Sequence, residues 1–167
     1  MQAWLKGVLA SALASRGNER GIACWQRGDF TAAEQAFRTA LRRRPAYAAA
    51  RSNLGMVLAA LGRLDEALAE LQRAVELDPD HPGARINCAA LLQQAGQTPL
   101  AVAHLREALR IDPHSAQARA NLVKPLMDLC DWPGVAALVD LLMQRAASEP
   151  VAEWGDTLPP FESLLLP

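Results

Sequence analysis

The sequence predicts an all-α protein in which helix pairs stack into a solenoid. Apolar residues make up 51% of the 167 residues but aromatic residues only 5%. Most of the apolar residues are Ala and Leu, which favour helices. In addition, a pattern of small, large and helix-ending residues recurs every 34 residues from residue 14 onward. Such a period is typical of solenoids, in which each unit buries its apolar face against the next.

The repeat divides the chain into four units with flanking segments. Three units align without gaps, at 14–47, 48–81 and 82–115, and a fourth at 116–149 keeps the frame with altered residues. Residues 1–13 are predicted to form a helical lead-in. Residues 150–167 contain four prolines and are predicted to be a linker or tail.

Each regular unit is predicted to contain two helices, A and B. Gly at repeat position 15 allows the left-handed backbone that ends helix A, and Pro at position 32 ends helix B. Small residues at positions 8, 20 and 27 let the two helices approach closely, and a large residue at position 24 is predicted to fill the space between neighbouring units. These residues are Gly21, Gly55 and Ala89 at position 8, Gly28, Gly62 and Gly96 at position 15, Phe37, Leu71 and Leu105 at position 24, and Pro45, Pro79 and Pro113 at position 32.

This pattern resembles the tetratricopeptide repeat. The resemblance implies a right-handed α-α superhelix with three regular repeats and one degenerate terminal repeat. It also implies a concave face, lined by the A helices, that binds peptides or protein segments. The chain departs from the family at position 4, where the usual aromatic residue is replaced by Gly17, Arg51, Arg85 and Arg119. We expect the Arg stems to cover apolar surface while their heads stay in water.

The fourth unit has lost the small residues of the pattern. Position 15 is Cys130, and larger side chains stand at positions 8, 20 and 27, so we expect its helices to pack less closely. Pro125 lies inside helix A and is expected to kink it. Asp131 and Trp132 occupy the turn where Asp29 and Phe30 begin helix B of unit 1. A terminal cap of the solenoid would account for this divergence.

A second resemblance suggests a different reason for the divergence. The run Cys130-Asp131-Trp132, followed by Pro160-Phe161 and Leu164-Leu165, resembles the O-linked N-acetylglucosamine transferase family, including its SPINDLY-like members. In that family the motif joins the last repeat to the catalytic region. The resemblance implies that this chain is the substrate-recruiting N-terminal part of a larger glycosyltransferase whose catalytic region is absent here. The alternative is a stand-alone tetratricopeptide adaptor or scaffold protein.

Three asparagines recur at repeat position 6 and are predicted to bind polypeptide. Asn53, Asn87 and Asn121 lie 34 residues apart and should form a row on successive A helices. An amide offers donors and an acceptor, so it can pair with a peptide backbone without reading side chains. The transferase family has a similar asparagine ladder. The alternative is a structural role, in which each amide bonds across the repeat interface. Other predicted peptide-binding residues are Met56, Gln94 and Lys124.

No candidate for catalysis, metal binding or a cofactor emerges from the sequence. The three histidines, His81, His104 and His114, show no metal-ligand spacing with Cys or carboxylates. There is also no Gly-rich phosphate loop. We therefore expect a protein that is not itself an enzyme, with no cofactor and no metal.

Charge and cysteine content suggest the partner class and the compartment. The net charge of −1 favours neither nucleic acid nor membrane as a partner. The charge is uneven, however: residues 1–53 carry nine Lys/Arg and three Asp/Glu, which either orients a partner or is ordinary solvated surface. Three cysteines without a CxxC motif favour the reducing cytoplasm. The end repeats could also stack against a second copy, giving a homo-oligomer.

Overall fold

A computed structural model describes residues 2–148, with side chains described for residue 4 and residues 7–143. Within residues 2–148 there are eight helices and no strand, which confirms the all-α solenoid with two helices per unit. The predicted tail at 150–167 lies outside the described residues. The helices are α1 (Gln2–Gln26), α2 (Phe30–Arg43), α3 (Ala48–Ala60), α4 (Leu64–Leu77), α5 (Pro82–Gln94), α6 (Thr98–Ile111), α7 (Ala116–Asp128) and α8 (Trp132–Ser148).

The order of contacts along the chain explains which helices face inward. The A helices are α1, α3, α5 and α7, and each packs against its own B helix; α2, α4 and α6 also pack against the following A helix. Successive A helices touch one another more than any successive B helices do. The stack therefore curves toward the A side. The residues predicted as a helical lead-in belong to α1, which runs without a break from Gln2 into helix A of unit 1.

The turn between helices A and B has the same backbone in every unit. Gly28, Gly62 and Gly96 have φ angles of 78°, 79° and 73°, as expected for the left-handed conformation. In unit 4 this position is Cys130, and its φ of 53° shows that the turn kept its conformation after the glycine was replaced. A side chain in this region of backbone space is strained.

Replacing Cys130 by Gly is expected to raise the free energy of unfolding by about 0.5–1 kcal/mol, because glycine adopts this backbone without a Cβ clash. Urea denaturation followed by circular dichroism measures the change. The matched control is Gly96→Cys, at the equivalent turn of unit 3, which should lower stability. A Cys130→Gly protein no more stable than the parent would show that the turn stores no strain.

The large residue at position 24 packs against position 8 of its own unit, a contact that the sequence did not predict, and it also belongs to the core cluster that the units share. A Cβ placed on Gly21 would meet the Phe37 ring at 2.5 Å, and one on Gly55 would meet Leu71 Cγ at 2.7 Å. Phe37 and Leu71 are almost fully buried. Positions 8 and 24 are thus two sides of one contact: the small residue makes room for the large one.

The arginines at position 4 are bound to the turn that precedes their own unit. Arg51 donates from Nε and Nη2 to the Pro45 carbonyl oxygen, at 3.1 and 3.0 Å, and Arg85 donates from Nε to the Pro79 carbonyl oxygen at 2.9 Å. Arg119 donates to the carbonyl oxygens of Pro113 and His114 and is only 4% exposed. The prediction that these heads stay in water is wrong for Arg119, whereas Arg51 and Arg85 remain half-buried. Each arginine closes the loop between two units.

The Cys-Asp-Trp run of unit 4 builds the start of the last helix. Asp131 caps α8, since its Oδ1 accepts from the Gly134 N–H at 3.0 Å. Its Oδ2 accepts from Arg106 of α6 at 2.6 Å, which ties α8 to unit 3. Asp29 caps α2 in the same way. The pair α7–α8 is in looser contact than the earlier pairs, as predicted, and α7 continues past the buried Pro125.

Candidate functional site: the asparagine row on the A helices

Two of the three predicted asparagines bond across the boundary between units. Asn53 Nδ2 donates to Asn18 Oδ1 at 3.0 Å, and Asn87 Nδ2 donates to Ser52 Oγ at 3.1 Å. In each case position 6 of one unit reaches position 5 of the preceding unit. These bonds fix the orientation of the two amides and hold neighbouring A helices in register.

This bonding does not use up the amides. Each Nδ2 carries two hydrogens and each Oδ1 has two lone pairs, and the bonds described above use one hydrogen per amide. Asn53 and Asn87 are half-buried, so part of each side chain reaches the surface. Each amide therefore keeps an acceptor and a donor for a further partner, and its orientation is already set. The structural and the binding interpretations are compatible.

Asn121 differs from the other two asparagines. Position 5 of the preceding unit is Ile86, which has no polar side-chain atom, so the cross-unit bond cannot form. Instead Gln93 Nε2 donates to the backbone oxygen of Asn121 at 3.0 Å. Within the described part of the chain, the Asn121 side chain has no hydrogen-bond partner. Its amide keeps its full capacity.

The other predicted binding residues are all at least partly accessible. Met56 is half-buried, and Gln94 and Lys124 are exposed. Lys124 Nζ lies 2.5 Å from Asp128 Oδ2 on the same helix, so its charge is largely balanced. Ile22 and Met127, also on A helices, are 38% and 50% exposed. The surface around the row is thus mildly apolar with little net charge.

An ion-pair network on the B-helix side holds units 1 and 2 together. Glu34 accepts from Arg38 at 2.9 Å and from Arg63 of the next unit at 2.8 Å. Burial alone would raise the pKa of Glu34, but the hydrogen bonds from the two arginines outweigh it, so the pKa lies below its ordinary value. The carboxylate stays charged and bridges the two units.

The thiol of Cys88 and the imidazole of His104 lie close together but do not form a reactive pair. Cys88 Sγ lies 3.7 Å from His104 Nε2, but burial raises the pKa of this thiol to about 11, so it is protonated at neutral pH and is not a nucleophile. Burial, helped by the charge of Arg85, lowers the pKa of His104. No group of three His, Cys, Asp or Glu suited to a metal ion occurs among the described residues. In the same part of the chain, no helix is long and apolar enough to cross a membrane.

Asn18 and Gln93 bond to asparagines of the row, and neither was among the predicted peptide-binding residues. Asn18 is 8% exposed and accepts the bond that orients Asn53. A signal for them exists in the sequence. A polar residue at position 5 lies next to position 6 of the following unit, so Asn18 and Ser52 predict bonded amides in units 2 and 3, whereas Ile86 predicts none in unit 4.

Stacked helix pairs with an accessible face define a repeat protein of the interaction class. Two sequence profiles described as tetratricopeptide repeat match residues 18–82 and 82–107. The chain belongs to the tetratricopeptide repeat family. A search of characterised protein sequences gives no significant match.

Solved structures show the same fold. An O-GlcNAc transferase mutant (K341M) of Thermobaculum terrenum aligns with a TM-score of 0.67 and 26% identity, over 70% of this chain. The tetratricopeptide domain of Arabidopsis OM64 aligns over 70% of this chain and 96% of its own length, with a TM-score of 0.65 and 17% identity. The first such domain of Spaghetti (RPAP3), bound to the HSP90 peptide SRMEEVD, aligns with a TM-score of 0.70 and 18% identity, over 72% of this chain and 98% of its own. The chain spans only 22% of the length of the transferase.

Proposed function

We propose that this chain is a protein-interaction module that holds an extended polypeptide along Asn53, Asn87 and Asn121. The observation that carries the proposal is the oriented amide pair: Asn53 and Asn87 are fixed by their bonds to Asn18 and Ser52, and each keeps a donor and an acceptor free. Pre-oriented amides lose little freedom on binding. The mildly apolar surroundings suit polypeptide better than nucleic acid.

The spacing of the row sets the register of the bound chain. Packed helices stand about 8–10 Å apart, and an extended chain rises about 3.3 Å per residue. One amide therefore meets every third residue of the ligand. Recognition of the backbone at this interval leaves the intervening side chains free, which permits a range of sequences.

The test uses a peptide selected from a random 15-residue display library against the full chain. We expect Asn53→Ala combined with Asn121→Ala to weaken binding of the fluorescein-labelled peptide by about tenfold or more, the loss of one or two hydrogen bonds. Fluorescence anisotropy measures the affinity. Backbone N-methylation at every third ligand residue should have a similar effect, because it removes the N–H that the amide oxygen accepts.

Gln72→Ala is the matched control, since it removes an exposed amide from α4, on the B-helix side. It should leave affinity unchanged. Asn53→Ala also deprives Asn18 of its partner, so a small loss of stability is expected there but not in Asn121→Ala. If N-methylated peptides bind as well as the parent peptide and the Asn variants lose only stability, the row has a structural role alone.

We also propose a role for this chain within a longer protein. The Cys130-Asp131-Trp132 run and the 26% identity to the repeat region of a transferase support a role in presenting polypeptide substrate to a glycosyltransferase region in the cytoplasm. The runner-up is a stand-alone adaptor. Sequencing the gene beyond the Pro167 codon separates them: several hundred further codons of glycosyltransferase support the first, and an immediate stop codon contradicts it. The exposed Val139 and Met143 of α8 support self-association through the end repeats as a second mode of interaction.

A further inference from the structure

The face of unit 1 that points away from unit 2 has a different surface from the same face of the later units. Repeat positions 3 and 7 are buried in units 2–4, as Ala50 and Leu54, Ala84 and Cys88, and Ala118 and Leu122. In unit 1 the same positions are the exposed Arg16 and Arg20. Among the described residues, no helix packs on this face. We call it the end face, formed by Arg16, Gly17, Arg20, Ala32, Gln35, Ala36 and Thr39.

A groove of about 310 Å³ opens on the end face, lined by these seven residues. The residues at equivalent repeat positions of units 1 and 2 explain why the groove forms. In unit 2, positions 4 and 23 hold Arg51 and Glu70, whose side chains meet at 2.6 Å. In unit 1 the same positions are Gly17 and Ala36, and the volume that the ion pair fills in unit 2 is left open. The groove of unit 1 thus corresponds in position to the Arg51–Glu70 ion pair of unit 2.

The cations around this groove form no ion pair with any carboxylate that the structure describes. Arg38, Arg51, Arg63, Arg73, Arg106 and Arg110 each form an ion pair within 4.0 Å. Arg16 and Arg20 form none within the described residues. Arg42 contacts the groove through Thr39, donating to its Oγ1 at 2.7 Å, and has no carboxylate partner there either. Two guanidinium groups therefore line the groove and a third is bonded to a residue that lines it, and none of the three has a carboxylate partner in the described part of the chain.

We propose that the end face is a second docking site, which takes an acidic segment of a partner polypeptide. A Glu or Asp side chain would enter the groove between Arg16 and Arg20, with its methylene groups against Ala32 and Ala36. Guanidinium groups pair with carboxylates through two parallel hydrogen bonds, and Gln35 offers a further donor. The missing acidic partner, which Glu70 supplies in unit 2, would come from outside.

Charge complementarity favours this occupant over a second copy of the chain. The opposite end of the solenoid offers mainly apolar side chains, Val139, Leu141 and Met143, which are 50%, 38% and 67% exposed, with the single exposed carboxylate of Asp140 among them. A head-to-tail stack would set those apolar side chains against Arg16 and Arg20. An acidic segment satisfies the arginines and needs only a small groove.

The test measures anisotropy of a fluorescein-labelled acetyl-(Glu-Ala)₆-amide peptide with the full chain. We expect binding that weakens as salt is raised, because surface ion pairs are screened. Arg16→Gln combined with Arg20→Gln should weaken binding at least about tenfold, the loss expected for charge-assisted bonds. Gln35→Glu supplies a carboxylate within the groove and should reduce binding similarly while raising thermal stability slightly.

Two controls make the result specific. Arg73→Gln with Arg110→Gln removes the same charge from exposed, paired sites and should leave binding nearly unchanged. Asn53→Ala with Asn121→Ala removes any binding of the same peptide to the asparagine row, and the salt-sensitive binding that remains should still be lost with Arg16→Gln and Arg20→Gln, so failure of this proposal is distinguishable from failure of the asparagine row. Equal loss in the two double-arginine variants would mean that binding follows net charge alone. Binding of oligo(dT)₁₂ through Arg16 and Arg20 without binding of the Glu-Ala peptide, or formation of dimers that those variants disrupt, would also overturn the proposal.

Discussion

Phe37→Ala is expected to lower the free energy of unfolding by about 3–5 kcal/mol, the usual cost of removing a buried aromatic ring. Phe37 is 1% exposed and stands over Gly21, so its ring fills the space between α1 and α2 and contributes to the shared core. Against a typical total of 5–15 kcal/mol, this loss could unfold the domain at 37 °C. Chemical denaturation followed by far-ultraviolet circular dichroism measures it. A loss below about 1 kcal/mol would show that the ring is not central to the core.

Gly21, which faces Phe37 in this contact, gives an internal control. Gly21→Ala should cost about 1–3 kcal/mol, since its Cβ would overlap the Phe37 ring. Combining it with Phe37→Leu recreates the pair Ala89 and Leu105 that unit 3 already uses. We expect the double variant to lose less than the two single variants together, by about 0.5–3 kcal/mol of coupling. Strict additivity would mean that the two positions do not share one contact.

The fold was predictable because each element depends on a local residue choice that recurs. The left-handed φ of Gly28, Gly62 and Gly96 follows from the turn, so glycine at one position every 34 residues predicts it. Which helix a large side chain packs against is not a local property, and this is why the contact of position 24 with position 8 of the same unit was not predicted. A single sequence shows that residues 8 and 24 have complementary sizes, but their distance appears only when α1 and α2 are placed together.

The role of the asparagine row was predictable only in part, for a similar reason. The recurrence of Asn53, Asn87 and Asn121 gave the row itself, and the sequence left open whether the amides bind a ligand or bond across the units. The structure shows the bonds to Asn18 and Ser52, and it shows that they leave capacity for a ligand. The groove on the end face was not predicted. It arises because Gly17 and Ala36 have small side chains where unit 2 has Arg51 and Glu70, and such a loss of side-chain volume forms no recognisable sequence motif.

The arginine at position 4 shows how a departure from the family pattern is compensated. The family places an aromatic ring there, and this chain uses a cation whose stem covers apolar surface while its head binds carbonyl oxygens. Arg51, Arg85 and Arg119 all reach the carbonyl oxygen of the Pro that lies six residues earlier. A planar guanidinium with several donors is well suited to this geometry, because it can bond two carbonyl oxygens at once.

Arg119→Leu is therefore expected to lower the free energy of unfolding by about 2–3 kcal/mol. The leucine retains apolar volume but leaves the carbonyl oxygens of Pro113 and His114 without their donor, in a site where the arginine is 4% exposed. Leaving buried polar groups unpaired costs about 1–3 kcal/mol each, and partial access of water lowers the sum. Because the hydrogen bonds of Arg119 join units 3 and 4, the rate of amide hydrogen exchange should rise first in α7 and α8.

Two comparison variants separate the bonds from the bulk of the side chain. Arg85→Leu removes a single described bond, to the Pro79 carbonyl oxygen, from a half-buried site, so its cost should be about 1 kcal/mol or less. Arg119→Lys keeps the charge and the apolar stem but loses the planar fork, so it should fall between Arg119→Leu and the parent. If Arg119→Lys and Arg119→Leu are equally stable, the carbonyl bonds contribute nothing, and the arginine is kept at this position for its stem alone.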